Sequence, residues 1–212
     1  MLNALIYILF STFEGFVIFA YAFSIFRIDF KGLEKETILT VILISIATYF
    51  YHNSSLFSNI SLVLNLIALT CFFIVLFKVS PLHALLISAL SFATLLTIQG
   101  ATTLISGLSL DEIMRTDWLR YSFQFFTDSI LLLISLLIKK RTFGFTFVPT
   151  RYVLKFKLTS LNIAILLTSI SAVIVMGIAF NLSLYVGTFF WGMCFAVLIY
   201  LGVSKEMSNE FD

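Results

Sequence analysis

What most constrains this chain is a succession of unbroken apolar runs. The first, LNALIYILFSTFEGFVIFAYAFSIF, is 25 residues long and holds a single acidic or basic side chain, Glu14. Comparable runs recur as far as residue 203, separated by short polar connections. An apolar run of roughly 18 residues or more is long enough to cross a bilayer as a helix. Continuous runs, unlike alternating ones, do not suit the strands of a membrane β-barrel. Composition points the same way, since 60% of the residues are hydrophobic and 11% charged, against about 45–50% and about 25% in soluble domains. No water-soluble fold of this length hides that much apolar surface. The expected fold class is all-α, a polytopic helical membrane bundle forming one transmembrane domain over residues 1–212.

The pattern predicts seven spans, roughly 2–26, 37–52, 59–79, 82–107, 121–138, 158–179 and 183–203. The second is short, and charge asymmetry tests it, because cytoplasmic connections collect Lys and Arg. With seven crossings, eleven cations fall on one side and two on the other; without the second crossing the split is eight against five. The seven-span arrangement separates charge better and places the N-terminus outside and the C-terminus in the cytoplasm, as in a multi-pass protein of a bacterial plasma membrane. The first span is not expected to be a cleaved signal peptide. It lacks a basic leading region, is too long, and carries Glu14 at its centre, although Ala20–Tyr21–Ala22 has the small-residue spacing of a cleavage site. The connection KKRTFGFTFVPTRYVLKFK, residues 139–157, holds six cations and no acid. It reads as an orientation anchor or a lipid-headgroup or partner-docking segment, with Phe143, Phe145 and Phe147 dipping into the interface or forming a short extended strand.

Polar groups inside a membrane are costly and are therefore candidates for function. Two acids lie within the spans, Glu14 and Asp128, and no Lys or Arg lies deep in any. Helical periodicity puts Tyr7, Ser11, Glu14 and Tyr21 on one face of the first helix. Arg120, Gln124 and Asp128 form a stripe on the fifth, and Gln99, Thr102, Thr103 and Ser106 a patch on the fourth. In the assigned orientation Asn65, Gln99, Thr103, Gln124 and Asp128 lie in the outer half, with Glu14 near mid-depth. Asn162 lies near the inner end of the sixth span. An outward-opening pocket lined by Asp128, Gln124, Arg120, Gln99 and Glu14 is the candidate ligand-binding set, in which Arg120 holds an anionic group by a bidentate contact. Helix-packing hydrogen bonds, worth about 0.6 kcal/mol each, are the plainer role for the same residues. With no cation to pair with it, Glu14 is expected as a neutral, hydrogen-bonded carboxyl, and Gly15 beside it allows another helix to approach. Ala89, Ala93, Thr97 and Ala101 form a small-residue stripe suited to close helix contact.

Several chemistries are excluded. A retinal protein needs a Schiff-base Lys in its last span, and SLYVGTFFWGMCFAVLIYLGV has none. His52 and His83 are predicted on opposite sides of the membrane, so no metal site is expected. Cys71 and Cys194 read as inert core thiols, and Cys71 is too far in depth from His83 for a nucleophile–base pair. HExxH, Walker A and GxSxG motifs are absent. No enzyme activity, cofactor or nucleic-acid partner is expected, and the net charge of +2 is unremarkable. The Asn-x-Ser triplets at Asn53, Asn59 and Asn181 all fall in outward connections.

MLNALIYILFSTFEGFVIFAYAFSIFRIDF and RYSFQFFTDSILLLISLLIKK, with the span count, chain length and outward-leaning polar residues, resemble the membrane sensor domain of accessory-gene-regulator-type histidine kinases. Those are peptide quorum receptors of Gram-positive bacteria, and small stand-alone membrane proteins share the texture. The resemblance implies recognition of an extracellular signal. The chain departs from those kinases in ending at Asp212, about nine residues past the last span, with no His after His83. A phospho-accepting helix and an ATP-binding domain are therefore not expected. The expected function is a non-enzymatic, receptor-like module that binds an extracellular small molecule or peptide. It would work with membrane lipid and a protein partner, a kinase or another membrane subunit, or as a homo-oligomer. The alternatives are a small transporter or permease subunit, in which Glu14 and Asp128 relay protons, or a structural scaffold acting through the Ala89 stripe.

Overall fold

The computed structural model describes residues 2–28, 34–52, 61–108, 110–147, 160–179 and 184–210. These form α1 (Leu2–Ile25), α2 (Glu34–His52), α3 (Ser61–Val75), α4 (Pro81–Ser106), a short α5 (Leu110–Arg115), α6 (Asp117–Lys140), α7 (Ser160–Ala179) and α8 (Leu184–Glu210). No strand occurs among the described residues. Four helices, within α1, α4, α6 and α8, are long and apolar enough to cross a membrane, and Ser61–Val75 and Asn162–Val175 are shorter apolar helices. The Asn-x-Ser triplets at Asn53, Asn59 and Asn181, and the basic residues Arg151, Lys155 and Lys157, lie outside the described residues.

α4 is the axis of the bundle, packing against α1, α3, α6, α7 and α8. Its sequence explains the position. Ala84, Ala89 and Ala93 are fully buried, and small side chains let neighbouring backbones come close. Its buried hydroxyls are satisfied within the helix, Ser88 donating to the Ala84 carbonyl at 2.9 Å and Ser91 to that of Ile87 at 2.8 Å, so they add no unpaired polar group to the core. Pro81 opens the helix at its first turn and Gly107 closes it in the left-handed conformation, the usual asymmetry of helix ends. The first half of the small-residue stripe is thus used inside the chain.

Cross-helix pairs set the relative directions. Phe10 stacks on Tyr121 at 4.8 Å, Glu14 meets Gln124 at 2.7 Å and Ser24 meets Ser135 at 2.9 Å, so α1 and α6 run parallel at constant register. Phe19 meets Phe73 at 5.5 Å and Phe23 meets Phe77 at 5.1 Å, so α3 is also parallel to α1. α2 is antiparallel, with Tyr7 against Tyr49 at 5.6 Å and Gly15 against Val41. A Cβ at Gly15 would sit 2.9 Å from Val41 Cγ1, which is why a glycine is needed where α2 crosses. α4 is antiparallel to α1 through Gln99–Glu14 and Thr94–Tyr21. Because Gly100 abuts Thr188, while Phe147 at the other end contacts both His83 and Glu206, α8 is antiparallel to α4. Tyr7, Gln99 and Arg120 thus share one end of the bundle, and Phe26, His83 and Glu206 the other. His52, closing α2, and His83, opening α4, accordingly sit at opposite ends.

The segment after α6 departs from expectation. Phe145 and Phe147 do not dip outward; both are 7% exposed and pack on Phe26 at 5.4 and 6.2 Å. Phe143 alone faces out, 68% exposed. No strand pairs with it among the described residues, and the segment is held by scattered bonds. Phe145 N–H donates to the Ile25 carbonyl at 2.6 Å. The Glu206 carboxylate accepts from Thr146 N–H at 2.8 Å, from Phe147 N–H at 3.1 Å and from the Thr146 hydroxyl. Gly144, at φ 141° against the Ile25 carbonyl, occupies backbone space open to glycine alone. Lys139, Lys140 and Arg141 stay exposed. A second correction concerns Cys71, which is exposed on the outside of α3 and not a core thiol; Cys194 is half-buried.

Candidate functional site

Glu14 sits at the level where three helices bring their polar residues together. Antiparallel α4 sets Gln99 beside it, and parallel α6 sets Gln124 beside it. Gln124 Nε2 donates to one carboxyl oxygen at 2.7 Å and Gln99 Nε2 to the other at 3.4 Å. The hydrogen-bonded Glu14 expected from the sequence is a carboxyl whose two oxygens each accept from a side-chain amide. Two amide donors are the minimum return for burying such a group.

One helical turn before Gln124, Arg120 lies between two tyrosine rings. Its guanidinium carbon is 4.8 Å from the Tyr121 ring centre and 5.7 Å from that of Tyr7, inside the range of cation–π attraction. One Nη also donates to the Tyr121 hydroxyl at 2.9 Å and lies 3.7 Å from Asp117. Asp117 is 64% exposed and Arg120 22%, so this ion pair is weak and Arg120 marks where the site reaches the surface.

These residues line one cavity of about 340 Å³, within the size range of small-molecule pockets. Tyr7, Ser11, Glu14, Gln99, Gln124 and Arg120 form its polar wall. Ile18, Phe19, Leu69, Phe92, Leu96 and Trp191 form an apolar wall. Of the five residues singled out from the sequence, four are therefore brought together. Asp128 is not, because it is fully buried one turn further along α6 and does not line the cavity; neither of its oxygens has a hydrogen-bond partner among the described residues. Tyr21 is likewise below the cavity, accepting from Thr94 Oγ1 at 3.1 Å.

Sequence reasoning missed contributors from α2, α5 and α8. Val41, Ile44, Ser45 and Thr48 of α2 line the cavity and follow the i, i+3, i+4, i+7 spacing of one helix face. Thr48 donates to Asn65 of α3 at 2.9 Å. Ile113 of α5 is 3% exposed and also lines the cavity; the apolar triplet Leu110, Ile113, Met114 in an otherwise polar connection was the available signal. Trp191 carried no signal at all, being one aromatic among many. Among the described residues no group of three or more His, Cys, Asp or Glu is placed to hold a metal. Comparison with protein-family models, with curated proteins and with solved structures returned no match.

Proposed function

We propose that this chain is a non-enzymatic, receptor-like module of a multi-pass membrane protein. It binds a small amphipathic molecule from the extracellular side and passes the bound state to a protein partner. The observation that carries the reading is the cavity itself, where Glu14, Gln99, Gln124 and Arg120, drawn from three helices, face an apolar wall across one space. Convergent polar groups over an apolar floor are the common form of a small-molecule site. Residues that served only to pack helices would close on one another and leave no such volume. The alternating helix directions and the charge asymmetry of the connections support placing the Arg120 end outside.

Thermal stability of the purified chain in detergent, scanned against a library of small amphiphiles, tests this. A binder is expected to raise the melting temperature by mass action, and Arg120→Ala and Gln99→Leu are expected to remove that shift. A library that never moves the transition would sink the proposal. A proton-coupled transporter is the second reading, favoured by the Asp128 carboxyl, which has no hydrogen-bond partner among the described residues and lies one turn beyond the Glu14 site. It predicts substrate flux in proteoliposomes that Glu14→Gln abolishes, which a receptor does not.

A further inference from the structure

An acid and a base face the cavity and do not pair. Glu14 and Arg120 both line it, yet the ion pair that Arg120 makes among the described residues is with exposed Asp117, at 3.7 Å. Each has its own fixture. Glu14 is clamped by the amides of Gln99 and Gln124, and Arg120 by the rings of Tyr7 and Tyr121 and by the Tyr121 hydroxyl. Ser11 stands one turn up α1 and also lines the cavity.

The spacing of the two groups is set by α6. Arg120 precedes Gln124 by four residues, about 6 Å along the axis. Its side chain leans toward the helix N-terminus, as the i−3 contact with Asp117 shows. The guanidinium and the Glu14 carboxyl are therefore roughly 10 Å apart, and two charge-assisted bonds of about 2.8 Å leave roughly 5 Å to be bridged. An α-amino acid is too short for that gap. A two-residue peptide, at about 3.5 Å per residue, or a δ-amino acid spans it.

We propose that the cavity takes a zwitterion of this length, with its ammonium group on Glu14, its carboxylate on Arg120 and any apolar side chains against Leu96, Phe92 and Trp191. The assignment rests on the small-molecule reading above and narrows it to one charge pattern. Neither group alone selects it. A simple amine would leave Arg120 facing empty space, and a simple carboxylate would lie beside Glu14.

The test is a matched ligand series titrated into the full chain in detergent by calorimetry. The series comprises leucylleucine, its N-acetyl and its C-terminal amide forms, free leucine, and δ-aminovaleric acid. Blocking either end of the dipeptide is expected to weaken binding by about tenfold to a hundredfold, the range for a lost charged hydrogen bond. Glu14→Gln should erase the penalty for N-acetylation and keep that for amidation, and Arg120→Gln should do the reverse. Each comparison is between ligands on one protein, so a general loss of stability in a variant cancels. Binding of the dipeptide without δ-aminovaleric acid supports the assignment with a peptide as ligand; the opposite preference supports it with an ω-amino acid. Equal binding of blocked and free forms, or binding of leucine alone, overturns it. If the series fails while another amphiphile stabilises the chain, the zwitterion assignment falls and the small-molecule reading stands. If no small molecule stabilises it, both fall.

Discussion

At the scale of single residues, Asp128 and Gln124 are one turn apart on α6 and make opposite predictions. Asp128 is fully buried with both oxygens unpartnered among the described residues, and an unsatisfied buried polar group costs about 1–3 kcal/mol, more if charged. Asp128→Leu replaces the stranded carboxyl by an apolar group of similar size, so thermal unfolding in detergent should show a higher melting temperature. The ligand-induced shift should persist, since Asp128 lies off the cavity; losing that shift would bring Asp128 into the site. Gln124 supplies the shorter of the two bonds to Glu14. Gln124→Leu should cost about 1–3 kcal/mol by stranding an acceptor, and adding Glu14→Leu should recover most of that loss. A double-mutant cycle measures the coupling, and strict additivity of the two changes would show that the bond contributes nothing. The sequence exposed the polar residues because the membrane makes each conspicuous. It could not separate Gln124 from Asp128, since both lie on one stripe of α6. Only the depth at which α1 and α4 pack decides which of the two meets Glu14.

At the scale of elements, the seven long helices were legible because each is built on a largely apolar run, and their ends fall near Gly, Pro, Asn/Ser or charge clusters. Two elements were not. α5 has six residues, too short for periodicity to register. The 143–147 segment looks interfacial from its alternating phenylalanines, and its real role depends on Glu206, some 60 residues away, which no local pattern reveals. That role is testable. Phe145 is 7% exposed, and a Cβ placed on Gly202 would lie 2.6 Å from its ring, so Phe145→Ala should cost about 3–5 kcal/mol. Phe143→Ala, at an exposed site, should cost nothing measurable. Chemical or thermal unfolding of the two variants side by side checks this, and equal stability would mean the segment does not plug the bundle. Glu206→Gln should fall between them, keeping acceptor capacity at one oxygen and losing the charge that strengthens all three bonds.

At the scale of the whole molecule, helix direction constrains topology more tightly than span counting does. α1 and α6 run parallel, and a chain can return to the same direction in a bilayer only after an odd number of intervening crossings. α4 is one. α2 and α3 must therefore both cross or both fail to, which rules out losing the second span alone. α2 runs antiparallel along α1 from the level of Gly15 to that of Tyr7, so it lies beside the Tyr7 half of α1. α1, α4, α6 and α8 are long and apolar enough to cross a membrane, and the bias of Lys and Arg is what supports the proposed orientation with the Arg120 end outside. Labelling from the two sides tests the orientation. Trp118 opens α6 at the Arg120 end and is 76% exposed; Phe143 lies past its other end and is 68% exposed. In a background with Cys71 and Cys194 replaced, because Cys71 is itself exposed, Trp118→Cys should react with a membrane-impermeant maleimide on intact cells. Phe143→Cys should react only after permeabilisation. The reverse pattern would turn the molecule over, put the cavity mouth in the cytoplasm, and make the ligand an intracellular one.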